Sequence, residues 1–328
     1  MLAYLVRRIA YGVLTVFGVL LLLFVLFFAA TDPQDIARRA VGEKASQEVY
    51  DQWLENHGYD RPLVTNEAHS RFSLARYTDT LLFEHYRRML TFDFGRSDAD
   101  DTEIVDRISS GMLPSLTLTV PLFLVGLALG VSFSLLIAFF RGTYIDWMGA
   151  VLCVTAMSIA SIIYIISGQY LIGSVLRWFP ISGYDSSPAV ILRFLALPVT
   201  VGVLASLGSD VRFYRTVFVE ETSRDYVRTA RAKGCSEARV MARHVLRNAM
   251  LPILTNVVVT IPFLFTGALL LENFFGIPGL GAMTVEAIQG NDFATLRSIV
   301  FIGALLFIAG QIMTDVSYTL ADPRVRLE

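Results

Sequence analysis

Long stretches without charged residues constrain this chain more than any other feature. Residues 9–30 form an uncharged apolar run, and a helix of about 22 residues, rising 1.5 Å per residue, crosses the roughly 30 Å hydrocarbon core of a bilayer. Hydrophobic residues make up 54% of the 328-residue chain, and its mean hydropathy is +0.56. Because these residues are collected in runs, the sequence predicts an all-α integral membrane protein.

Six such runs predict six transmembrane helices. They cover residues 9–30, 113–140, 148–175, 189–207, 250–271 and 296–320. Pro114 is typical of a helix start, whereas Pro198 interrupts the fourth run. Gly126 and Gly130 lie four residues apart in the second run, a spacing that allows two helices to approach closely.

The first run has a second interpretation, as a secretory signal peptide. A signal peptide has an apolar core of only about 7–15 residues and ends in a small-residue cleavage site. The run is longer than such a core, and its end, Phe28-Ala29-Ala30, is a poor cleavage site. We therefore expect a first transmembrane helix, with Arg7 and Arg8 holding residues 1–8 in the cytoplasm.

Residues 31–112 are polar and contain no run long enough to span a bilayer. The positive-inside rule applies to loops shorter than about 60 residues, so the arginines of this segment do not forbid an external location. Its aromatic residues, and helical spacing over residues 81–90, predict a large external loop with a small helical cap. Asp98, Asp100 and Asp101 allow either a cation site or a solvated acidic turn, and we favour the turn.

Residues 209–248 form an Arg-rich insert with nine Arg or Lys and five Asp or Glu. A loop of this length and charge is expected to face the cytoplasm. Its central part predicts two short helices joined at Gly234, a residue type that turns a chain without steric cost, with Ser236 as the N-cap of the second helix. We expect the insert to dock a cytoplasmic partner. The alternative is a loop that only sets topology.

An even number of spans puts both termini on the same side of the membrane. The N-terminal arginines, the insert 209–248, and Arg324 and Arg326 of the tail 321–328 are then all cytoplasmic. Residues 272–295, punctuated by Gly and Pro at their start, are expected to leave the helical conformation and form an external loop.

Sequence signatures of catalysis are missing. The chain has no GxxxxGK[ST], HExxH or GxSxG motif, so we expect no catalytic residue, no metal site and no ATP hydrolysis by this chain. Cys153 lies in an apolar run and Cys235 in the insert, which excludes a CxxC pair. Nothing in the charge pattern indicates binding of nucleic acid.

The insert carries a recognisable motif. Residues 226–234 read Tyr-Val-Arg-Thr-Ala-Arg-Ala-Lys-Gly, and they are followed by Arg243-His244, Arg247-Asn248-Ala249 and Pro252. This pattern resembles the cytoplasmic signature loop of ABC-importer permease subunits, in the form of the dipeptide/oligopeptide/nickel branch of binding-protein-dependent transport systems. The general signature begins Glu-Ala-Ala. Here Arg228-Thr229-Ala230 holds those places, a departure that fits this branch.

The resemblance implies a fold, a function and a set of partners. The fold is that of the type I ABC importer, with six transmembrane helices. The function is that of a permease subunit which imports di- or oligopeptides, or peptide-like solutes, by alternating access in the prokaryotic cytoplasmic (inner) membrane. The implied partners are a second homologous permease subunit, two ATP-binding subunits that carry ATP and Mg, and an extracytoplasmic solute-binding protein. This chain itself is expected to bind no cofactor.

Three groups of site residues follow from the resemblance and from polar residues within the spans. The ATPase-coupling group is Arg228, Ala230, Arg231, Ala232, Lys233, Gly234, Ser236 and Glu237. The translocation path is assigned Ser158, Ser161, Gln169, Asn256 and Thr260, although such residues also hydrogen-bond between helices. The external gate or receptor contact is assigned Glu272, Gly276, Pro278 and Gly279, with a structural corner as the alternative.

Two other functions remain open at this point. A secondary carrier or channel would work without an ATPase, but ion-coupled carriers usually need ionisable residues in mid-membrane. The predicted spans are nearly free of charge, and Arg193 and Asp315 lie near helix ends, where each can snorkel to an interface or pair with an opposite charge. An intramembrane enzyme would need a reactive pair, and none is evident. The solute stays open among peptides, nickel, glycosides and peptide-like antibiotics.

Overall fold

The computed structural model describes residues 2–29, 33–42, 45–57, 59–66, 75–187 and 190–321. The regular elements in these ranges are helices, together with one isolated bridge between Arg96 and Glu103. Five helices are long and apolar enough to cross a membrane, and a bent helix pair makes a sixth crossing if it is counted as one span. The all-α integral membrane class predicted from the sequence is confirmed.

The N-terminal part contains the first spanning helix and a cap of four short helices. Helix α1 covers Leu2–Phe24 and continues as a π-helical stretch, Val25–Ala29. The cap consists of α2 (Pro33–Val41), α3 (Gln47–His57), α4 (Ala75–Thr78) and α5 (Leu81–Leu90).

The remaining helices form the core. They are α6 (Ile104–Phe139), α7 (Tyr144–Ser158), α8 (Ser161–Gly168, followed by π-helical Gln169–Val175), α9 (Ile191–Thr222), α10 (Asp225–Ala232), α11 (Glu237–Arg239, followed by π-helical Val240–Val245), α12 (Leu246–Phe265), α13 (Leu269–Phe275), α14 (Leu280–Gln289) and α15 (Phe293–Ala321). The segment from Glu237 to Phe265 behaves as one spanning helix.

Helix α6 begins well before the predicted span 113–140. Its first residue is Ile104, so Pro114 lies inside the helix and the prediction of a helix start there is wrong. The extension forms because Ile104 and Ile108, four residues apart, face the same side and are both buried in a core shared with α1, α5 and α14. Tertiary packing outside the membrane therefore lengthens the helix beyond its apolar run.

The predicted insert 209–248 is mostly helix end rather than loop. Helix α9 passes through Pro198 without interruption and continues to Thr222, because Val211, Tyr214 and Phe218 form a buried stripe along its extension. The second short helix expected after Gly234 is in fact the start of the fifth spanning helix. Only α10 and its two flanking turns remain as a separate polar element.

The third span is broken. Helices α7 and α8 meet at an angle of 89°, and the break falls at Ile159 and Ala160, which both have extended backbone angles. The Tyr164 hydroxyl donates a hydrogen bond to the Ala156 carbonyl across the break, at 3.0 Å. This bond serves a carbonyl that the interrupted helix leaves without its usual partner.

The fifth span also ends earlier than predicted. Helix α12 stops at Phe265, and Gly267 has a φ of +77°, a left-handed conformation that glycine adopts without strain. The chain becomes helical again in α13, so the expectation that residue 272 marks the end of helical structure is wrong. The break comes instead at Gly276, which has a φ of +64°.

Close contacts at small residues hold the spanning helices together. Gly130 of α6 packs against Asp210 and Tyr214 of α9. Gly310 of α15 receives the ring of Pro262 from α12 so closely that an added Cβ would lie 2.0 Å from the Pro262 Cγ. Lipid tails are as apolar as the side chains, so such close packing is what favours helix association inside a bilayer.

Two ion pairs join helices at the ends of the bundle. Arg8 of α1 pairs with Asp315 of α15, and the distance from the Arg8 Nε to a carboxylate oxygen of Asp315 is 2.6 Å. Arg215 of α9 donates from Nε to Asp146 of α7 at 2.8 Å. The pairing that the sequence allowed for Asp315 thus occurs, and it ties the first spanning helix to the last.

The cap of α2 to α5 has its own apolar core. Phe28 and Tyr59 are buried there with residues from α2, α3 and α5, namely Ile36, Ala37, Tyr50, Leu54 and Leu81. The Arg297 guanidinium of α15 lies 4.4 Å from the centre of the Phe28 ring. His85 Nε2 lies 3.2 Å from the Leu20 carbonyl oxygen, and burial lowers the pKa of His85 to about 4, so this ring is neutral near pH 7.

The acidic turn is anchored through Asp98, whereas the Asp100 and Asp101 side chains are 50% and 67% exposed, as expected of a solvated turn. Asp98 is only 6% exposed and accepts a hydrogen bond from the Ala294 amide at 2.8 Å. Asp292 accepts from the Ser97 hydroxyl at 2.6 Å and from the Thr295 amide at 3.0 Å. Both carboxylates therefore serve the amino terminus of α15, where unpaired amides and the helix dipole favour negative charge. For Asp98 the prediction of a solvated turn is wrong.

We expect Gly310→Ala to destabilise the contact between α12 and α15. The added methyl group would overlap the rigid Pro262 ring, and overpacking of this kind costs about 1–3 kcal/mol. The measurement is the apparent melting temperature of the detergent-purified protein, followed by size-exclusion chromatography after heating. Gly303→Ala on the same helix is the control, because its Cβ would meet Thr266 Cγ2 at an ordinary 3.6 Å. Equal melting temperatures for both variants would contradict this packing.

Candidate coupling and translocation sites

Helix α10 lies across the ends of two spanning helices. Its apolar side carries Val227 and Ala230, which are 0% and 6% exposed. They share a core with Phe218 near the end of α9 and with Val240 and Val245 at the start of the fifth spanning helix. The opposite side of α10 is polar and exposed. The short helix is thus fixed to the bundle by one face and presents the other.

The turn after α10 is rigidly built. Gly234 has a φ of +76°, its amide donates to the Arg231 carbonyl at 2.9 Å, and the Cys235 amide donates to the Ala230 carbonyl at 3.2 Å. This pair of bonds is the Schellman arrangement that ends many helices. Arg231 and Glu237 close the turn from outside, with Nε to Oε1 at 2.7 Å and Nη2 to Oε2 at 3.1 Å.

The predicted coupling residues separate into two groups. Ala230 faces the interior of this chain and is only 6% exposed, so its assignment to the surface that meets a partner is wrong. The other seven are exposed around α10 and its turn: Arg228, Arg231, Ala232, Lys233, Gly234, Ser236 and Glu237. Ser236 occupies the N-cap position as predicted, although its hydroxyl makes no capping hydrogen bond. An added Cβ at Gly234 would meet no atom within 4 Å, so this turn is open to a partner.

A cavity of about 290 Å³ lies between α6, α9 and α12. It extends from Gly267 and Ala268, near the outer break of the fifth span, to Asp210 and Tyr214 on the inner part of α9. Polar groups from all three helices line it, among them Thr119, Ser206, Asp210, Asn256 and Thr260. Convergent polar groups in a mostly apolar wall are typical of a solute site.

The cavity brings together only part of the predicted translocation path. Asn256 and Thr260 line it, and the Asn256 amide donates to the Tyr214 hydroxyl at 3.0 Å. Gln169 does not: its amide donates to the carbonyls of Ile181 and Phe274, at 3.2 and 2.8 Å, and thereby joins the outer segments. Gln169 therefore hydrogen-bonds between segments, which is the alternative to a path role that the sequence left open.

Ser158 and Ser161 flank the bend between α7 and α8 and are exposed on this chain. The Ser158 hydroxyl donates to the Val154 carbonyl at 2.8 Å, within its own helix. Neither serine borders the cavity, so a path role for them stays a prediction.

Asp210 is the cavity residue that sequence reasoning missed. Residue 210 was assigned to the cytoplasmic insert, because the apolar run of the fourth span ends near residue 207. The stripe of Val211, Tyr214 and Phe218 at helical spacing was the signal that extends α9 past this point. With the helix extended, Asp210 becomes an ionisable residue on a spanning helix.

Glu272 is the centre of a compact turn near the outer end of the cavity. Its side chain is fully buried, and it accepts hydrogen bonds from the backbone amides of Ala268, Gly281 and Ala282 at 2.9, 2.7 and 3.1 Å. Gly267 and Gly279 leave room for the carboxylate, since a Cβ on either would lie 2.4 Å or less from its oxygens. Glu272 therefore forms the structural corner that the sequence left as the alternative, and its buried carboxylate is not exposed to a receptor.

The remaining gate residues differ in exposure. Gly276 and Pro278 are exposed on the outer turn, and Gly279 is buried beside Glu272. Ser115 of α6 strengthens the same turn by accepting a hydrogen bond from the Leu280 amide at 2.8 Å. The turn is thus a structural corner on its inner side and an open surface at Gly276 and Pro278.

Comparison with known proteins decides which family has this arrangement. Residues 103–327 match the family described as the binding-protein-dependent transport system inner membrane component, and residues 1–119 match the N-terminal domain of the same kind of membrane component. The chain belongs to this family. It is the permease subunit of a binding-protein-dependent ABC importer of the type I kind, and the resemblance of residues 226–234 is confirmed.

Relatives of the permease align along its whole length. A peptide transport system permease protein of Brucella abortus is 29% identical over 331 residues, with 100% of each chain covered. The glutathione transport system permease protein GsiC of Salmonella typhimurium is 31% identical over 327 residues, with 99% of each chain covered. GsiC of Shigella flexneri is 30% identical over 330 residues, again with 99% of each chain covered.

We expect Glu272→Gln to destabilise the permease. A glutamine presents one acceptor oxygen and an amide group to three backbone amides, so at least one buried donor loses its partner, which costs about 1–3 kcal/mol. Thermal unfolding in detergent measures the loss. Glu286→Gln is the control, because the Glu286 carboxylate is 66% exposed and contacts Arg107 only at 3.6 Å. A variant at residue 272 as stable as this control would show that the carboxylate does not organise the turn.

Proposed function

We propose that this permease imports peptides or small peptide-like solutes, glutathione among them, by alternating access powered by partner subunits that hydrolyse ATP. The relatives are named as peptide and glutathione transport permeases along the full chain, which supports the solute class. The observation that carries the mechanism is the position of α10, which packs by one face against both α9 and the start of the fifth spanning helix.

This position links an exposed surface to the cavity. Force applied to the polar face of α10 is transmitted through Val227 and Ala230 to Phe218 and Val240, which are fully buried. The same two spanning helices carry Asp210 and Asn256 in the cavity. Packed helices with two discrete arrangements convert such a displacement into opening or closing of a site.

The assembly proposed around the chain follows the expectation from sequence. A second homologous permease and two ATP-binding subunits complete the transporter, and an extracytoplasmic solute-binding protein delivers the solute to the outer turn at Gly276 and Pro278. ATP and Mg bind to the partner subunits, and this chain binds no cofactor. Both termini and α10 face the cytoplasm, in agreement with the basic residues near residue 8 and around α10.

The alternative of an ion-coupled carrier has one observation in its favour, since Asp210 is a carboxylate on a spanning helix. The match to a binding-protein-dependent family over residues 103–327 favours the ATP-driven importer.

The proposed function is tested by uptake into liposomes. We expect the permease, reconstituted with its partner permease and ATP-binding subunits and supplied with the binding protein, to accumulate labelled glutathione or tri-alanine. Uptake should require both ATP and the binding protein and should persist in a protonophore. Uptake by the chain alone that a protonophore abolishes would instead establish a secondary carrier.

We expect Gly234→Val to uncouple the transporter. Valine is strained by 1 kcal/mol or more, by order of magnitude, at the positive φ of this turn, and its side chain projects from the surface proposed to receive the ATPase. Solute-stimulated ATP hydrolysis by the assembled complex should fall by roughly tenfold.

Gly142→Val is the matched control. Gly142 has a φ of +78°, and an added Cβ there also meets no atom within 4 Å, so both variants carry the same backbone strain at an exposed turn. Normal stimulation in the Gly142 variant, with loss in the Gly234 variant, locates coupling at α10. Equal stimulation in the two variants would remove α10 from the mechanism.

A further inference from the structure

Asp210 stands out among the residues that line the cavity. It lies on α9 twelve residues before Thr222, about 18 Å along the helix axis from the end that carries α10. An ionisable side chain on a spanning helix is unfavourable unless it is paired or solvated, and it therefore indicates a solute or ion pathway.

The part of the chain that the structure describes supplies no counter-ion for this carboxylate. Among the ion pairs within the described ranges, none includes Asp210. Arg212 follows two residues later, about 200° around the helix, and is exposed on another face. Arg215 is engaged by Asp146. Ser206, one turn earlier, donates its hydroxyl to the Val203 carbonyl at 3.3 Å and, being neutral, cannot balance the charge.

The helices opposite Asp210 also present no charge. Helix α6 contributes Gly126 and Gly130 to this face, and an added Cβ at Gly126 would meet no atom within 4 Å, so the wall is open beside the carboxylate. Helix α12 contributes Asn256 and Thr260. The charge of Asp210 thus faces free space bordered by neutral groups.

The neutral polar groups offer acceptor oxygens to a solute without adding charge. Asn256 spends an amide hydrogen on the Tyr214 hydroxyl, which leaves its carbonyl oxygen available. The Thr260 and Thr119 hydroxyls donate to backbone carbonyls, of Asn256 and Leu264 respectively, both at 2.8 Å. A carboxylate without a counter-ion, in a cavity whose other polar groups are neutral and include acceptor oxygens, is complementary to a cation that carries several N–H donors.

We propose that Asp210 binds the positively charged amino group of the solute as it passes through the cavity. The inference rests on the proposed function, because a peptide or glutathione brings a free ammonium group. It goes beyond that function by assigning the group that this subunit recognises and the residue that recognises it. A basic side chain of the second permease is the competing partner for the same carboxylate.

The test compares Asp210→Asn with the unmodified permease in the reconstituted complex. The probes are tri-alanine and glutathione, each with a free and with an N-acetylated amine. We expect the variant to raise the KM for the free-amine probes on the order of tenfold, since a hydrogen bond to a charged group is lost, and to leave uptake of the acetylated probes unchanged. Because the same binding protein serves both complexes, its own preference cancels in the comparison.

Two further variants separate recognition from structure. Asp210→Asn combined with Asn256→Asp returns a carboxylate to the same cavity from the facing helix, and we expect it to recover part of the uptake of the free-amine probes. Asp106→Asn removes a carboxylate from the exposed start of α6 and should leave uptake unaltered. A structural defect at residue 210 would not be corrected by the second substitution.

Each other outcome overturns the proposal. An equal effect on free and acetylated probes, or no effect, shows that the amino group is not recognised here. Failure of the Asp210→Asn permease to co-purify with the second permease identifies Asp210 as an intersubunit ion pair. If only the Asp210 variants lose all peptide uptake, the role of Asp210 in recognising the amino group is refuted but the proposed function stands. If the unmodified complex takes up neither peptide, the proposed function and the role of Asp210 are both refuted.

Discussion

Backbone hydrogen bonding inside the bilayer is the constraint on which this structure depends. Water does not reach the hydrocarbon core, so each amide and carbonyl there must be paired within the protein. Unbroken helices satisfy this requirement, but this permease interrupts its third and fifth spans. The groups freed at each interruption are served by particular side chains: Tyr164 bonds to Ala156, Thr119 to Leu264, and Glu272 to Ala268.

This requirement explains why polar residues within the spans have such different roles. Gln169 and Glu272 looked like candidates for transport or gating, yet both are engaged by the backbone of an outer turn. Asp210 and the Asn256 carbonyl oxygen are not needed by any broken helix. Polar groups that remain after the backbone has been satisfied are the ones available to a solute, and here they lie in one cavity.

The same helices that border the cavity also hold the short helix α10. Val227 of α10 is buried in the same core as Phe218 of α9 and Val240 at the start of the fifth spanning helix. A displacement of α10 therefore shifts at least one of these two spanning helices. At the opposite end, Ser115 of α6 accepts a hydrogen bond from the Leu280 amide and ties the outer turn to α6, while Glu272 closes the same turn by accepting from its backbone amides. A movement of α10 thus acts on a cavity whose outer boundary is held by hydrogen bonds, which favours a change in its inner part.

Much of the architecture was readable from the sequence because it depends on local composition. Apolar runs gave the helical membrane class and the approximate location of the spans, and the motif at residues 226–234 gave the family. Helical spacing over residues 81–90 gave the cap helix α5, and Gly234 gave a turn. Each of these depends on residue types near one another in the chain, and hydropathy, helix propensity and glycine φ freedom act at that range.

The tertiary structure alone decided which face each residue uses and where the helices end. Ile104 extends α6 and Phe218 extends α9 because distant segments bury them, and such burial overrides the limits of an apolar run. Asp98, Glu272 and Ala230 are buried for the same reason, although their neighbours in sequence are polar or lie in turns. Asp210 belongs to the cavity only once α9 continues past residue 207. Contacts between remote segments set these outcomes, and a local pattern shows at most where a helix is able to continue, as the stripe of Val211, Tyr214 and Phe218 does for α9.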